Sequence, residues 1–338
     1  MKVISRILGV MILIGLIMSV VAFFMGLDPL DLKGFFTDEE AYGEMITLTH
    51  DDEISELILD LSTRHIVIHY VEENELTMTY YEHEEKDTWT IDESVPGTYK
   101  VTHREKIRWL NFISFKFTPK EIVTVHVYIP ETWVVGYDLS TNTGSIRMMF
   151  DETYDVLNLD LHTNTGDIYV DGVSGGIGEF VTDTGDITLK NVVLSSTLFV
   201  DSDTGDLRLE DVDTTDLDLS TDTGNVIMTG INGNVCDIDV DTGSISITNS
   251  LFTSSMKLHT DTGNVNLTEV VGTAYDLSSS TGDVIFTLAD SSNLYYDLKT
   301  DTGNIKVDGA SQGTRHSTTQ GTILLKVNVD TGNIRINS

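Results

Sequence analysis

The sequence predicts an all-β chain: a parallel β-solenoid of about ten coils of roughly 20 residues, with an N-terminal β cap and one N-terminal transmembrane helix. Three observations carry this prediction. A Thr-Asp-Thr-Gly turn recurs at a nearly constant interval. Apolar and polar residues alternate on both sides of each turn, the period of a half-buried strand. All four prolines and all three tryptophans precede residue 137, so the repeats carry no proline to interrupt a ladder of backbone hydrogen bonds.

The first element is apolar. Ile7 to Phe24 is an uncharged run of eighteen residues preceded by Lys2 and Arg6, just long enough to cross a hydrocarbon core. Val21-Ala22-Phe23-Phe24-Met25 places bulky side chains where a signal peptidase needs small ones, so an uncleaved anchor is expected. By the positive-inside rule Lys2 and Arg6 stay in the cytoplasm and the remainder of the chain lies outside. Residues 1–27 are the cytoplasmic end and anchor, 28–43 a linker, 44–136 the cap and 137–338 the repeat domain.

The turn recurs at Gly144, Gly166, Gly185, Gly205, Gly224, Gly243, Gly263, Gly282, Gly303 and Gly332. Five and seven residues before the glycine stand apolar pairs such as Leu159 and Leu161 or Leu217 and Leu219. Two and four residues after it stand pairs such as Ile168 and Val170 or Val265 and Leu267. A further apolar position seven residues after it (Val173, Val192, Val212, Ile231, Val270) is suited to anchor the return. A unit of this length is too short for a propeller blade and lacks a leucine-rich frame. Laid as one strand on each of two parallel sheets, coils stack about 4.8 Å apart. A chain of antiparallel hairpins is the rival, but it gives no reason for every unit to be alike.

The cap region alternates too, through Leu57, Leu59 and Leu61, Ile66 and Ile68, and Val123, Val125, Val127 and Ile129, but lacks the turn motif. Covering one open end of the solenoid is its expected role. At the other end the polar insertion from Gly309 to Gly321 is placed to shield or extend the last coil.

The turn admits three chemical readings. Asp-Thr-Gly is also the aspartic-protease signature, but that chemistry needs one pair of carboxylates rather than a ladder. A structural reading gives glycine a positive φ, has Asp or Asn accept the backbone N–H two residues on, and lets threonine hydroxyls bond between coils. A third reading makes the column a metal site of Asp183, Asp203, Asp222, Asp241, Asp261 and Asp301, with weakly bound Ca²⁺ relieving repulsion between neighbouring coils. Asp167, Asp186, Asp206 and Asp283, directly after the glycine, would add carboxylates to it. No other cofactor is implied.

Composition narrows the partners. Twenty Lys and Arg against 54 Asp and Glu give a net charge of −34, which repels nucleic acid and anionic surfaces unless a basic patch intervenes, and no such patch stands out in the sequence. No His-Glu-x-x-His, phosphate-binding glycine loop or nucleophile elbow is present, so a non-enzymatic protein is expected. Cys236 falls in an inward column, as a buried inert thiol. Lys100, Arg104, Lys106 and Arg108, followed by Trp109, Phe112, Phe115 and Phe117, form the one basic-aromatic stretch; it reads as a hairpin packed on the solenoid end, or as a contact for a lipid headgroup or glycan.

Taken together, the anchor helix, Leu59-Asp60-Leu61 with Ile66-Val67-Ile68, Val125-His126-Val127-Tyr128-Ile129-Pro130, the serial Thr-Asp-Thr-Gly-Asp-Ile turns and the closing Val329-Asp330-Thr331-Gly332-Asn333-Ile334 resemble the bacterial "putative adhesin" family of membrane-anchored β-strand repeat proteins, a domain-of-unknown-function family. The resemblance implies a single-pass protein of the cell membrane with an extracytoplasmic solenoid, an adhesin or envelope organiser that contacts a surface glycan or envelope protein. It also implies an alternative, an accessory sensor or regulator of envelope stress bound to another membrane protein. An enzyme acting on surface polysaccharide is a third reading, by analogy with other solenoids. No catalytic residues come with the resemblance.

Overall fold

The computed structural model describes residues 42–106, 118–288 and 293–337. The apolar run 7–24 and the segment holding Arg108, Trp109, Phe112, Phe115 and Phe117 lie outside the described residues. Among those described, no helix is long and apolar enough to cross a membrane.

The repeats form strands that pair in parallel and in register from coil to coil. Each coil is named here by its turn glycine. In the Gly166 coil, Leu159–Thr165 pairs with Gly136–Thr143 on one side and Gly178–Thr184 on the other, so that Leu161 lies between Leu139 and Phe180. Ile168–Gly175 pairs likewise, with Ile168 between Ile146 and Ile187. A one-residue slip would turn every apolar side chain outward, and this fixes the register. The inward column Leu139, Leu161, Phe180, Val200, Leu219, Ile238, Leu258, Leu277 is completely buried. Cys236 belongs to the neighbouring inward column, and burial pushes its thiol pKa far above the usual range.

A second bend was not expected from the turn motif. Six residues after the glycine the backbone turns left-handed at Gly172, Asn191, Asp211, Gly230, Asn249 and Glu269, with φ between 48° and 80°. Glycine, Asn and Asp enter this region at least cost, which accounts for most of that column. Beyond the bend a short third run pairs coil to coil, as Val173, Ser174 and Gly175 do with Val192, Val193 and Leu194. Each coil thus has two long sides and one short one, and Val173, Val192, Val212, Ile231 and Val270 are buried at that junction.

The order of layers departs from the order of sequence at both ends. Ala274–Thr281 pairs with Ile323–Thr331, which in turn pairs with Leu294–Thr302. The Gly332 coil is therefore inserted between the Gly282 and Gly303 coils. The insertion shields the outermost coil: Ala310–Gly313 pairs antiparallel with Ile305–Val307, and Arg315–Ser317 with Leu294–Thr302. At the other end Glu56–Leu61 lies between Gly136–Thr143 and Thr98–Glu105, and His65–Val71 between Ile146–Asp155 and Thr124–Pro130. The ladder thus crosses residue 136 without a break. Short antiparallel strands, Asp87–Asp92 on Thr98–Glu105 and Leu76–Tyr80 on Thr124–Pro130, finish that end. An open parallel edge invites pairing with another chain, and these strands cover it.

Candidate functional site

At the corner, glycine is needed for closeness at every coil and for its backbone angle at most of them. A Cβ on Gly205, Gly224 or Gly263 would overlap the carbonyl oxygen of the glycine one coil earlier, although none of the three has a left-handed φ. The expected positive φ holds at Gly144, Gly166, Gly185, Gly243, Gly282 and Gly332, with φ between 149° and 159°, and close stacking of backbone on backbone requires glycine at the others as well.

Two hydrogen-bond columns flank this stack. Three residues before the glycine, a buried hydroxyl donates to the glycine carbonyl of the previous coil: Thr163 to Gly144 at 2.9 Å, Thr182 to Gly166 at 3.1 Å, Thr260 to Gly243 at 2.9 Å and Thr300 to Gly332 at 2.8 Å. Directly after the glycine, the side chain of one coil accepts the backbone N–H of the next. Ser145 donates to His65 Nδ1 at 2.9 Å, Asp206 to Asp186 at 2.8 Å, Asn225 to Asp206 at 2.8 Å, Ser244 to Asn225 at 3.0 Å, Asp283 to Asn264 at 2.8 Å and Asn333 to Asp283 at 2.7 Å. Asp, Asn and Ser alternate there because each presents a short side-chain acceptor.

The expected acceptor, two residues before the glycine, does not play this part. The N–H it was to cap belongs to the glycine and donates instead across the ladder, from Gly185 to Thr204 O at 2.9 Å and from Gly205 to Thr223 O at 2.9 Å. Asp183, Asp203, Asp222 and Asp241 are exposed. Asp261 accepts from Ser280 at 3.2 Å and lies 3.1 Å from His259 Nε2, and Asp301 lies 2.9 Å from Lys299 Nζ. Among the described residues no three His, Cys, Asp or Glu side chains are grouped to hold a metal ion.

Charge at the corner is balanced locally. Arg208 bonds both Asp186, at 3.0 Å, and Asp206. Burial pushes the Asp206 carboxyl up, but bonds from Asn225 and Arg208 outweigh it and hold the group below the usual range. One outward face is less well balanced. Burial, with Asp160 and Glu56 nearby, raises Asp138; burial and Glu179 raise Asp160; burial and Asp237 raise Asp218. The other long face is nearly neutral and carries Thr229, Thr248, Thr268 and Thr287 side by side in register.

The turn motif leaves one coil unrecognised. Thr141 Oγ1 donates to Arg64 O at 2.9 Å, so Arg64 stands where other coils have glycine. The spacing of Leu61 and Ile66 matches that of Thr141 and Ile146 and is the available sequence signal. Arg64 is fully buried and bonds Asp87, which also accepts from the His83 N–H at 2.8 Å and lies 3.1 Å from His103 Nε2. Burial pushes Asp87 up, yet these partners hold its carboxyl below the usual range. The cluster locks the cap to the first coil.

On the neutral face beside this coil lies a groove of about 420 Å³, lined by Val67, His69, Lys120, Glu121, His126 and Arg147, among others. His69 Nε2 and His126 Nδ1 are 3.0 Å apart, and the His69 ring stacks on Tyr128 at 4.8 Å and 16°. Burial lowers both histidine pKa values, and for His69 the neighbouring His126 adds to the shift.

Stacked Asx corners, parallel ladders and covered ends define a repeat-built parallel β protein. The chain belongs to the toastrack DUF4097 family, whose model matches residues 54–226 and again 195–332. The first match begins beside the coil that Arg64 closes. Among solved structures the chain is similar to a "putative adhesin" from Bacteroides fragilis, at 11% identity over 88% of this chain and 98% of that one, with a TM-score of 0.38. It is also similar to a "putative cell adhesion protein" from Clostridium sporogenes, at 10% identity over 87% and 99%, with a TM-score of 0.17. No curated protein matches.

Proposed function

We propose that the protein is a non-enzymatic, membrane-anchored solenoid held outside the cytoplasm, which presents its long faces for adhesion or envelope organisation. The observation that carries this reading is the regularity of the outward surface, where the same side-chain positions recur at every coil from Gly136–Thr143 onward. A rigid periodic surface suits extended, low-specificity contact, and the basic-flanked apolar run 7–24 suits an anchor. The descriptions of the two similar solved proteins as adhesion proteins agree with it.

Crosslinking and affinity capture from intact cells, with protease protection to report the side on which the solenoid lies, test the proposal. Capture of wall or host-surface material with a protease-sensitive solenoid supports it. Capture of a signalling membrane protein instead would favour the sensor or regulator. A protected solenoid would overturn the extracytoplasmic placement.

A further inference from the structure

Between residues 137 and 300 four of the five cations are neutralised by carboxylates; beyond them Lys326 and Arg335 are paired too, while Lys306 and Arg315, at the outer coil, have no carboxylate partner among the described residues. Lys190 sits on Glu210, Arg208 on Asp186 and Asp206, Lys257 on Asp237 and Lys299 on Asp301. The fifth cation of that stretch of repeats, Arg147, has no carboxylate partner among the described residues. It faces the groove at the N-terminal end, where Lys120 is likewise without a carboxylate partner among them. A second hollow, of about 320 Å³ over Lys190, Arg208 and Glu210, provides the contrast: its cations are already satisfied.

The groove is assembled from three layers. Arg147 and Val67 are paired neighbours on adjacent strands, Val67 pairs onward with His126, and His69 pairs with Tyr128. Two unpaired cations therefore flank a floor of stacked rings, with Glu121 the one carboxylate lining it. A further hollow of about 310 Å³ shares Glu121, Thr124 and His126 and adds Tyr81, so the aromatic surface continues past the groove. Ring faces pack against the C–H faces of sugars, while Lys and Arg recognise acid groups, Arg in bidentate fashion.

We propose that this groove binds an anionic glycan, with Lys120 and Arg147 taking its carboxylate, sulfate or phosphate groups and the His69 and His126 rings, continued by Tyr128 in the adjoining hollow, carrying a sugar ring. The overall charge of −34 selects against a dense polyanion such as nucleic acid, whose phosphates would also meet the acidic face. A short sugar chain with spaced acid groups meets only the groove. The choice of a glycan rests on the adhesion reading above, whereas the unpaired cations and stacked rings do not.

The test uses the full chain in detergent, with trigalacturonate and sulfated maltotriose as probes, maltotriose as the neutral control and phosphatidylglycerol vesicles as a separate arm. The wild type is expected to bind at least one anionic trisaccharide and to bind maltotriose at least about tenfold more weakly; added salt should weaken the anionic complex. Lys120→Ala with Arg147→Ala should lower anionic affinity by about tenfold or more with an unchanged melting midpoint, and Lys190→Ala should leave affinity unchanged. Equal affinity in the double variant, or binding of neither anionic probe, overturns the site. Vesicle binding lost in the double variant, without trisaccharide binding, overturns it in favour of a lipid surface. Adhesion of whole cells carrying the double variant separates the two proposals: if the purified variant binds as tightly as wild type while cells still adhere, only the groove is wrong.

Discussion

The backbone N–H of Asn333 donates to Asp283 Oδ1 at 2.7 Å, and Asn304, though closer to Asp283 in sequence, lies one layer farther out, donating to Asn333 Oδ1 at 3.2 Å. The last repeat of the chain is thus an interior layer. The outermost Gly303 coil therefore has its parallel partners in a segment that follows it in sequence.

Truncation after Gly321 should therefore release more than it removes. The Gly303 coil loses the parallel partners of Leu294–Thr302 and Ile305–Val307. Hydrogen exchange should show these amides unprotected in the truncated chain while those of the Gly224 coil keep their protection. Retained protection at Leu298 and Ile305 would show that the layer order is not as described.

Gly224→Ala should be among the most damaging single changes, costing at least ~3 kcal/mol, because its Cβ meets a backbone carbonyl that cannot move without parting two coils. Asp222→Asn, two residues away and exposed, should change stability by less than ~0.5 kcal/mol. Denaturant midpoints of the two variants check the assignment of the load to the glycine rather than to the aspartate.

Val240 interrupts the hydroxyl column, paired between Thr221 and Thr260 and fully buried. Val240→Thr should supply the missing bond to the Gly224 carbonyl and raise stability by ~1 kcal/mol, and Thr163→Val should cost a similar amount. A destabilised Val240→Thr would mean that desolvation of the hydroxyl outweighs that bond.

His65 begins the Asx ladder as a neutral acceptor. Burial first, then Lys120 and Arg147, lower its pKa against the opposing pull of Asp167. With the folded pKa below the unfolded one, its contribution is fully present above about pH 6.5 and is lost as pH falls through the folded value. His69 and His126 shift in the same direction. His65→Asn retains an acceptor that does not titrate, so its loss of melting midpoint between pH 7.5 and 5 should be smaller than that of the wild type.

Carboxylates line the corner without a converging ligand set among the described residues. Millimolar Ca²⁺ should therefore raise the melting midpoint no more than NaCl of equal ionic strength, and chelator should leave it unchanged. A larger, saturable rise with Ca²⁺ would establish a specific site in the column of Asp183, Asp203 and Asp222.

Much of the fold was legible because its signals are periodic. A twenty-residue repeat with two-residue alternation specifies which of Leu159, Leu161, Ile168 and Val170 face inward, and all four are buried. Roles within the turn were less legible. The motif suggests an acceptor two residues before the glycine, but the side chains there are exposed, and the residue just after the glycine makes the bond. The Gly172 and Asn191 bend left a column of Gly, Asn and Asp in the sequence, too mixed to stand out beside the glycine motif.

The sequence by itself determined the repeat, its register and the faces of its strands, because each is a local alternation reinforced at every coil. Tertiary structure alone decided the order of the layers and the groove. Whether Asn333 lies beside Asp283 or beyond Asn304 depends on edge pairing between strands of nearly identical pattern, which periodicity cannot rank. Lys120, Arg147, His69 and His126 become neighbours only when the coil closed by Arg64 is inserted between Thr124–Pro130 and the first repeat. A charge sum of −34 averages over such a place, and stacking creates it.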